Sequence, residues 1–145
     1  MQSKENDNLI FVRLFPDENI HKKLIEVCKK HKVKTAVVLS GVGQLKKFQL
    51  GYFKEKNKYA TEKFDKTHEL LSLTGTICRQ KGDYVVHLHA VLSDEKKKTI
   101  GGHLFNGMVE VTNEIVLIKS SVEIFRRLEE KTGLKGMFLE KVFLL

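Results

Sequence analysis

The segment YVVHLHAVL, at residues 84–92, constrains the fold of this chain more than any other stretch of its 145 residues. Side chains alternate between the two faces of a β-strand, so every second residue of the segment lies on the same side. One side carries His87 and His89 between Val85 and Val91. The other side is apolar throughout and is predicted to face the core: Tyr84, Val86, Leu88, Ala90 and Leu92. The pattern predicts a strand that packs on one face and presents two imidazoles on the other.

Most of the remaining chain also has β patterning. Apolar or alternating runs that end at glycines, a proline or polar turns predict strands at 8–14, 35–43, 45–53, 68–78 and 107–120, the last long enough to contain a bulge. Residues 122–134 fit a helix or a strand. The clearest helix lies near the N-terminus, where Asp17 is the predicted N-cap of an apolar set at helical spacing: Ile20, Leu24, Val27 and Cys28. We therefore predict one α+β domain over residues 1–145, with a largely antiparallel sheet, one clear helix and few others.

Composition narrows the class of protein. No run approaches the roughly 18 apolar residues that indicate a membrane span. The N-terminus, MQSKENDNL, lacks the apolar segment of a secretory signal. Two cysteines, Cys28 and Cys78, are too few for a disulfide framework or a thiolate zinc site. These features predict a cytoplasmic protein without a membrane partner.

A third histidine, His103, follows the pair at 87 and 89 after an intervening segment that ends in a Gly-Gly pair. This segment is long enough for the chain to fold back onto the same face. Gly101 and Gly102 allow the unusual backbone angles and close approach that a return needs. Three neutral imidazoles around one point, with the fourth position open, are the ligand set that zinc takes in its open sites, so the spacing favours a zinc site.

The alternative is that the two strand histidines occur together by chance or bond to the backbone. The histidines elsewhere have no comparable spacing. His21 and His31 lie on or after the lysine-rich helix and are predicted to be solvated.

Carboxylates beside a metal can accept the second ring N–H of a ligating histidine or act as a general base. Glu110 and Glu114 lie on the next predicted strand, Glu69 precedes a neighbouring strand and Asp94 lies in the intervening loop. These residues are the sequence-based candidates for either role.

The net charge of +8 favours a polyanionic partner such as DNA. Of the 26 cations 22 are lysines, which meet phosphate as point charges, whereas arginine supplies most bidentate contacts to guanine. Lys96, Lys97 and Lys98 form the densest patch and are the candidate phosphate contacts, with binding that ignores base sequence. A solvated lysine-rich surface is the alternative.

The order of several motifs resembles the PPC domain, the plant and prokaryote conserved domain, in its stand-alone prokaryotic form. The motifs are TAVVLSGVGQLKKFQLGYF, ELLSLTGTI, GDYVVHLHAVLSD, GGHLFNGMVEVTNEIVLI and FRRLEEKTGL. The resemblance implies an antiparallel sheet with few helices, a strand at 122–128, a homotrimer, and zinc held by the histidines of the HxH and GGH motifs, here His87, His89 and His103. The apolar run GMFLEKVFLL at 136–145 also favours assembly, because it would otherwise be exposed.

The resemblance leaves three functions open. The first is a DNA-binding or regulatory protein, the second a zinc-dependent enzyme that acts on a small molecule, and the third an oligomeric interaction module. No Arg-Gly pair occurs and Pro16 is the single proline, so the chain lacks the Arg-Gly-Arg-Pro core by which an AT-hook enters the minor groove. We take the DNA-binding or regulatory function with a zinc site as the working prediction.

Overall fold

A computed structural model describes residues 1–139. Within this range the chain forms a seven-stranded antiparallel sheet, a separate two-stranded sheet and a helix. In chain order the elements are β1 (Gln2–Asn6), β2 (Leu9–Leu14), α1 (Ile20–Lys30), β3 (Thr35–Glu55), β4 (Lys58–Phe64), β5 (His68–Gln80), β6 (Asp83–Ser93), β7 (Thr99–Ser120), β8 (Phe125–Leu128) and β9 (Lys135–Phe138). The predicted α+β class, with a largely antiparallel sheet and a helix near the N-terminus, is confirmed.

The large sheet has the order β1-β2-β7-β6-β5-β3-β4, and β7 also pairs with β3. This last pairing closes a ring of four strands, in which β3, β5, β6 and β7 each pair with two others of the set. The inner faces of these strands share one apolar core with the buried side of α1. Closure leaves β3 and β7 without free edges over most of their length, which removes sites for unwanted strand pairing.

Two strands are longer than predicted. The segments 35–43 and 45–53 belong to the single strand β3, and the predicted strand 107–120 is the second half of β7. Register shifts along the β3–β7 pair interrupt both strands, as at Val38/Ser40 and Gly43/Leu45. A bulge adds one residue on one strand and bends it, which lets a long strand follow a closed sheet.

The N-terminal details of α1 differ from the prediction. Asn19, rather than Asp17, is the N-cap, and its side chain accepts a hydrogen bond from the backbone N–H of Lys22. Asp17 instead lies in a turn with φ 65°, and its backbone N–H donates to the carbonyl of Val109.

The two histidines of this region are not solvated. His21 is largely buried and its ring bonds to the carbonyl of Leu104. His31 contacts Glu5 and Ser3, so the prediction that both histidines are solvated is wrong.

The segment that fitted either a helix or a strand contains a strand, β8, which forms a hairpin with β9. Two hydrogen bonds join Arg126 of β8 to Gln80 at the end of β5. The backbone N–H of Arg126 donates to Gln80 Oε1, and Gln80 Nε2 donates to the backbone carbonyl of Arg126. The hairpin is thereby held beside the outer face of β5 and β6. Residues 140–145 of the apolar C-terminal run lie outside the described residues. Within residues 1–139, no helix has the length and apolar character needed to cross a membrane.

Candidate metal centre

His87, His89 and His103 come together on the outer face of the β6–β7 hairpin. Their ligand atoms lie within 4.8 Å of one another, and the ring centroids are separated by 5.2 Å, 5.2 Å and 5.4 Å. His103 is the direct cross-strand partner of His89, and His87 lies two residues along β6 on the same face. The segment between His89 and His103 is therefore the rest of an antiparallel hairpin rather than a loop that folds back.

Glycines allow the backbones around the triad to approach closely. A Cβ on Gly102 would lie 2.8 Å from the carbonyl oxygen of Gly51 on β3. Gly75 has φ +152°, and a Cβ there would collide with the carbonyl oxygen of His87. Gly101 and Gly102 are not among the glycines with positive φ, so the expectation of unusual backbone angles at this pair is wrong, whereas the expected close approach is present.

The pKa values of two imidazoles are lowered. Burial lowers the pKa of His87, and the charges of Arg126 and His89 lower it further. Burial, together with His87, His89 and His21, lowers the pKa of His103 to about 4. Both rings are therefore neutral at pH 7, as metal ligation requires. Nδ1 of His103 is buried and has no hydrogen-bond partner among residues 1–139, and Phe105 packs 4.5 Å from the ring between centroids.

The donor set fits zinc. Tetrahedral zinc with bonds of about 2.0–2.1 Å holds nitrogens about 3.3 Å apart, so each ring would need to move inward by at most roughly 1 Å. Both cysteines are buried in the core, and burial raises the pKa of the Cys28 thiol to about 12. Thiolate ligation is therefore disfavoured, and the triad offers nitrogen alone.

The triad opens into a cavity of about 400 Å³ between β6 and the C-terminal hairpin. His87 and His103 line one side, and the hairpin contributes Arg126, Glu129 and Lys135. The remaining lining is mainly apolar: Tyr59, Val85, Val86, Leu134, Gly136 and Met137. A ligand of the metal would thus meet apolar walls and a few charged groups, the usual character of a small-molecule site.

The structure does not bring the predicted carboxylates to the triad. Glu69 bonds to Gln44 and pairs with Ser93, four residues beyond His89 on β6, about 13 Å along the strand. Glu110 is paired with Lys46 at 2.8 Å. Glu114 lies in register with Arg13 of β2 and Val42 of β3. Asp94 bonds to the backbone of its own turn.

Among the described residues that line the cavity, the acidic one is Glu129; neither Glu129 nor Arg126 was a sequence-based candidate for the site. The motif FRRLEEKTGL contained both, but only the C-terminal hairpin brings them to the triad.

Lys96, Lys97 and Lys98 are exposed in the turn between β6 and β7. The Asp94 carboxylate accepts hydrogen bonds from the backbone N–H groups of Lys96 and Lys98, which fixes the turn and leaves the three ammonium groups on the surface. The turn begins beyond the end of β6, several residues after His89, so the lysines and the triad lie at separate places on one hairpin.

The closed antiparallel sheet and the clustered imidazoles define a small β-rich domain with a candidate metal centre. Residues 1–121 match the Plants and Prokaryotes Conserved (PCC) domain, and the chain belongs to this family, the one that its motifs resemble. A bifunctional protein GlmU from Synechococcus sp. (strain JA-3-3Ab) is 31% identical over 133 residues, which are 90% of this chain and 20% of that protein. The chain thus spans about a fifth of the length of this relative.

Solved structures share the fold over nearly the whole chain. A plant- and prokaryote-conserved protein from Pyrococcus horikoshii is 28% identical with a TM-score of 0.80, covering 99% of this chain and 97% of that one. A candidate DNA-binding protein from Bacteroides thetaiotaomicron is 24% identical with a TM-score of 0.89, covering 97% and 98%. A metal-containing protein from Archaeoglobus fulgidus is 24% identical with a TM-score of 0.81, covering 92% and 95%.

Proposed function

We propose that this PCC domain binds one zinc ion per chain through His87, His89 and His103, and that a further ligand of the ion would come from the cavity beside the C-terminal hairpin, which His87 and His103 line. The observation that carries the proposal is the set of three imidazoles whose ligand atoms lie within 4.8 Å of one another. A structural neighbour from Archaeoglobus fulgidus is a metal-containing protein, which supports the same assignment. When bound, zinc would act as a Lewis acid or lower the pKa of a coordinated water.

The protein residues supply the surroundings of that ion. The β6–β7 hairpin fixes the three rings, and the lowered pKa values of His87 and His103 keep these rings neutral. Phe105 and Tyr59 pack beside His103, with ring centroids 4.5 Å and 6.0 Å from that of the imidazole. None of these contacts involves a carboxylate placed for proton transfer, so the geometry supports metal binding more strongly than any particular reaction.

The test is a zinc titration of metal-free, untagged protein against a chromophoric chelator. We expect one zinc per chain, and affinity at least about 100-fold weaker in His89→Ala, because loss of a direct ligand exceeds the loss of an outer partner. His68→Ala, which changes a histidine outside the triad, is the matched control and should retain wild-type affinity. Equal zinc affinity in His89→Ala and wild type would overturn the assignment.

We also propose a homotrimer, as the resemblance to the PPC domain implies. Its support is an apolar outer surface on β2 and β3, where Phe11, Val37, Leu39 and Val42 are 53%, 41%, 54% and 45% exposed. Cyclic symmetry covers such a surface without open-ended growth. The mass of one chain is 16.7 kDa. Light scattering at micromolar concentration should give three times the mass of one chain, and the mass of a single chain would contradict the trimer.

DNA binding is a second candidate, favoured by the exposed turn of three lysines and the net charge of +8. A structural neighbour from Bacteroides thetaiotaomicron is a candidate DNA-binding protein. Lysine contacts to phosphate release counterions and carry no base information, so binding should be independent of sequence and weakened by salt. Several chains in one assembly would raise the avidity.

The DNA test compares two triple variants. Changing Lys96, Lys97 and Lys98 to Gln should lower affinity for every duplex alike and reduce the slope of log K against log salt by about 2 to 3. The control changes a second trio at the β3–β4 turn to Gln and should have a smaller effect: Lys54, Lys56 and Lys58. Equal losses in both variants, strong preference for one duplex, or no binding at low salt would each contradict this role.

A further inference from the structure

Arg126 is a buried cation without a carboxylate partner among residues 1–139. Its side chain is 8% exposed, and it takes part in none of the ion pairs between described residues. Nη2 donates to Thr76 Oγ1 at 2.6 Å, and Nη1 donates to the carbonyl of Lys135 at 3.5 Å. Nε is buried and has no hydrogen-bond partner among these residues. Burying a charge is costly unless it is paired, so this arrangement favours an anion beside the guanidinium.

Arg126 lies close to the triad. Thr76, which holds one end of the guanidinium, is the direct cross-strand partner of His87, and such partners have Cβ atoms about 5 Å apart on the same face. The side chains of Arg126, His87 and His103 also line the same cavity. A guanidinium has five N–H donors, and two of them are used by residues 1–139, so three have no partner among these residues.

The cavity favours a singly charged organic anion. Its lining carries the cations Arg126 and Lys135 and the anion Glu129, so one net positive charge remains, which one carboxylate neutralises and a dianion such as phosphate would exceed. Val85, Leu134 and Met137 provide apolar surface for a hydrocarbon group. The planar guanidinium matches the geometry of a carboxylate, to which it can donate two parallel hydrogen bonds.

We propose that Arg126 binds the carboxylate of a small organic acid, whose hydrocarbon part lies in the cavity beside the three histidines. The inference deepens the proposed function, because such a ligand would be held next to the zinc ion and could complete its coordination. The carboxylate subsite itself consists of Arg126 and its neighbours in the C-terminal hairpin. Binding of a carboxylate to it can therefore be measured in metal-free protein.

The experiment uses butyrate as the probe and butyramide, its neutral counterpart, as the comparison. Metal-free protein is titrated while the Nε–H resonance of Arg126 is followed by NMR, and the dissociation constant is obtained from the shift. We expect butyrate to shift this resonance and butyramide to leave it in place. Arg126→Gln should weaken butyrate binding at least about tenfold, since hydrogen bonds to charged groups are the strong ones. Arg126→Lys should give an intermediate affinity.

Arg79→Gln is the matched control, because Arg79 is exposed and lies outside the cavity. Its butyrate affinity should equal that of wild type. If Arg126→Gln fails to fold, Arg126→Lys and the butyramide comparison still decide the question. Butyrate binding that is equal in wild type and Arg126→Lys, equal for butyramide, or absent would overturn the proposal, and tighter binding of phosphate would overturn the choice of a carboxylate.

A second titration, with zinc present, tests the carboxylate subsite and the zinc site separately. Repeating the titration with zinc-loaded protein should raise the affinity for butyrate. Failure of wild-type protein to take up zinc, with Arg126-dependent butyrate binding intact, would reject the metal proposal and leave the carboxylate subsite. Zinc uptake without Arg126-dependent butyrate binding would reject the carboxylate subsite and leave the metal proposal.

Discussion

The two faces of β6 contact different parts of the molecule, although their residues alternate along one strand. Leu88, Ala90 and Leu92 are at most 2% exposed and belong to the apolar core. His87 and His89, between and beside them in sequence, lie on the outer face with their rings 5.2 Å apart. The core face therefore supplies stability and the outer face carries two of the proposed ligands, so single substitutions should separate the two roles.

The largest expected effect is a difference in the free energy of unfolding between variants of two neighbouring residues, Leu88 and His89. Leu88→Ala removes a fully buried side chain and should lower the free energy of unfolding by about 2–5 kcal/mol. His89→Ala, on the exposed face, should change the stability of metal-free protein by less than about 1 kcal/mol. Urea unfolding at matched protein concentration measures both. If His89→Ala destabilised the protein as much as Leu88→Ala, the two faces of β6 would not have separate roles.

Zinc should stabilise the protein through the outer face alone. At free zinc about 100-fold above the dissociation constant, wild type should gain about 2.7 kcal/mol. Leu88→Ala should gain a similar amount from its lower starting point, because its histidines are intact. His89→Ala should gain little. Thermal unfolding with and without zinc tests this, and an equal shift in all three proteins would place the metal elsewhere.

Acid should affect the metal-free protein through His103. Its pKa is about 4 in the fold, below the ordinary value of about 6.5, so the unfolded chain binds the proton more readily. The associated stability is present above about pH 6.5 and is lost as pH falls toward 4. Since the ring is only partly shielded from solvent, we expect a loss of about 1–2 kcal/mol rather than the full value of the shift.

The check is urea unfolding between pH 7 and pH 4, with His103→Gln as the control. The variant lacks the titrating ring and should lose less stability over this interval. Zinc should also be retained to a lower pH than ordinary imidazoles would allow, because burial lowers the pKa values of two proposed ligands, His87 and His103. Release of zinc above pH 6.5 would contradict the lowered pKa values.

The smallest expected effect concerns Val91, which shares the outer face with the histidines but lies outside the triad. It is 41% exposed, so Val91→Thr should change the free energy of unfolding by no more than about 0.5 kcal/mol. Zinc affinity should stay at the wild-type value in the same chelator competition. A marked loss of zinc would mean that the metal site extends further along β6 than the triad.

Features that depend on local pattern could be predicted from the sequence. The alternation of 84–92 identified both faces of β6, and the apolar spacing of Ile20, Leu24 and Val27 identified α1. The N-cap was displaced by two residues because Asn19, rather than Asp17, can reach the N–H of Lys22. The extents of β3 and β7 could not be predicted, because their bulges are set by pairing with distant strands.

The charged neighbours of the triad depend on tertiary contacts. Glu69, Glu110 and Glu114 lie on neighbouring strands, yet the first two bond elsewhere and Glu114 lies beside Arg13 and Val42. Arg126 lies far beyond His103 in the chain, in a segment that fits either a helix or a strand. Its approach to Thr76 follows from the contact of the C-terminal hairpin with β5, which no short motif encodes.

Zinc ligation by the three histidines is tested most directly by zinc K-edge X-ray absorption on zinc-loaded wild-type and His89→Ala proteins. We expect three imidazole nitrogens and one oxygen at about 2.0–2.1 Å in the wild type. Any zinc that the His89→Ala protein retains should give a different spectrum, with reduced scattering from imidazole. A sulfur ligand at about 2.3 Å, or the same spectrum in both proteins, would contradict a centre formed by His87, His89 and His103.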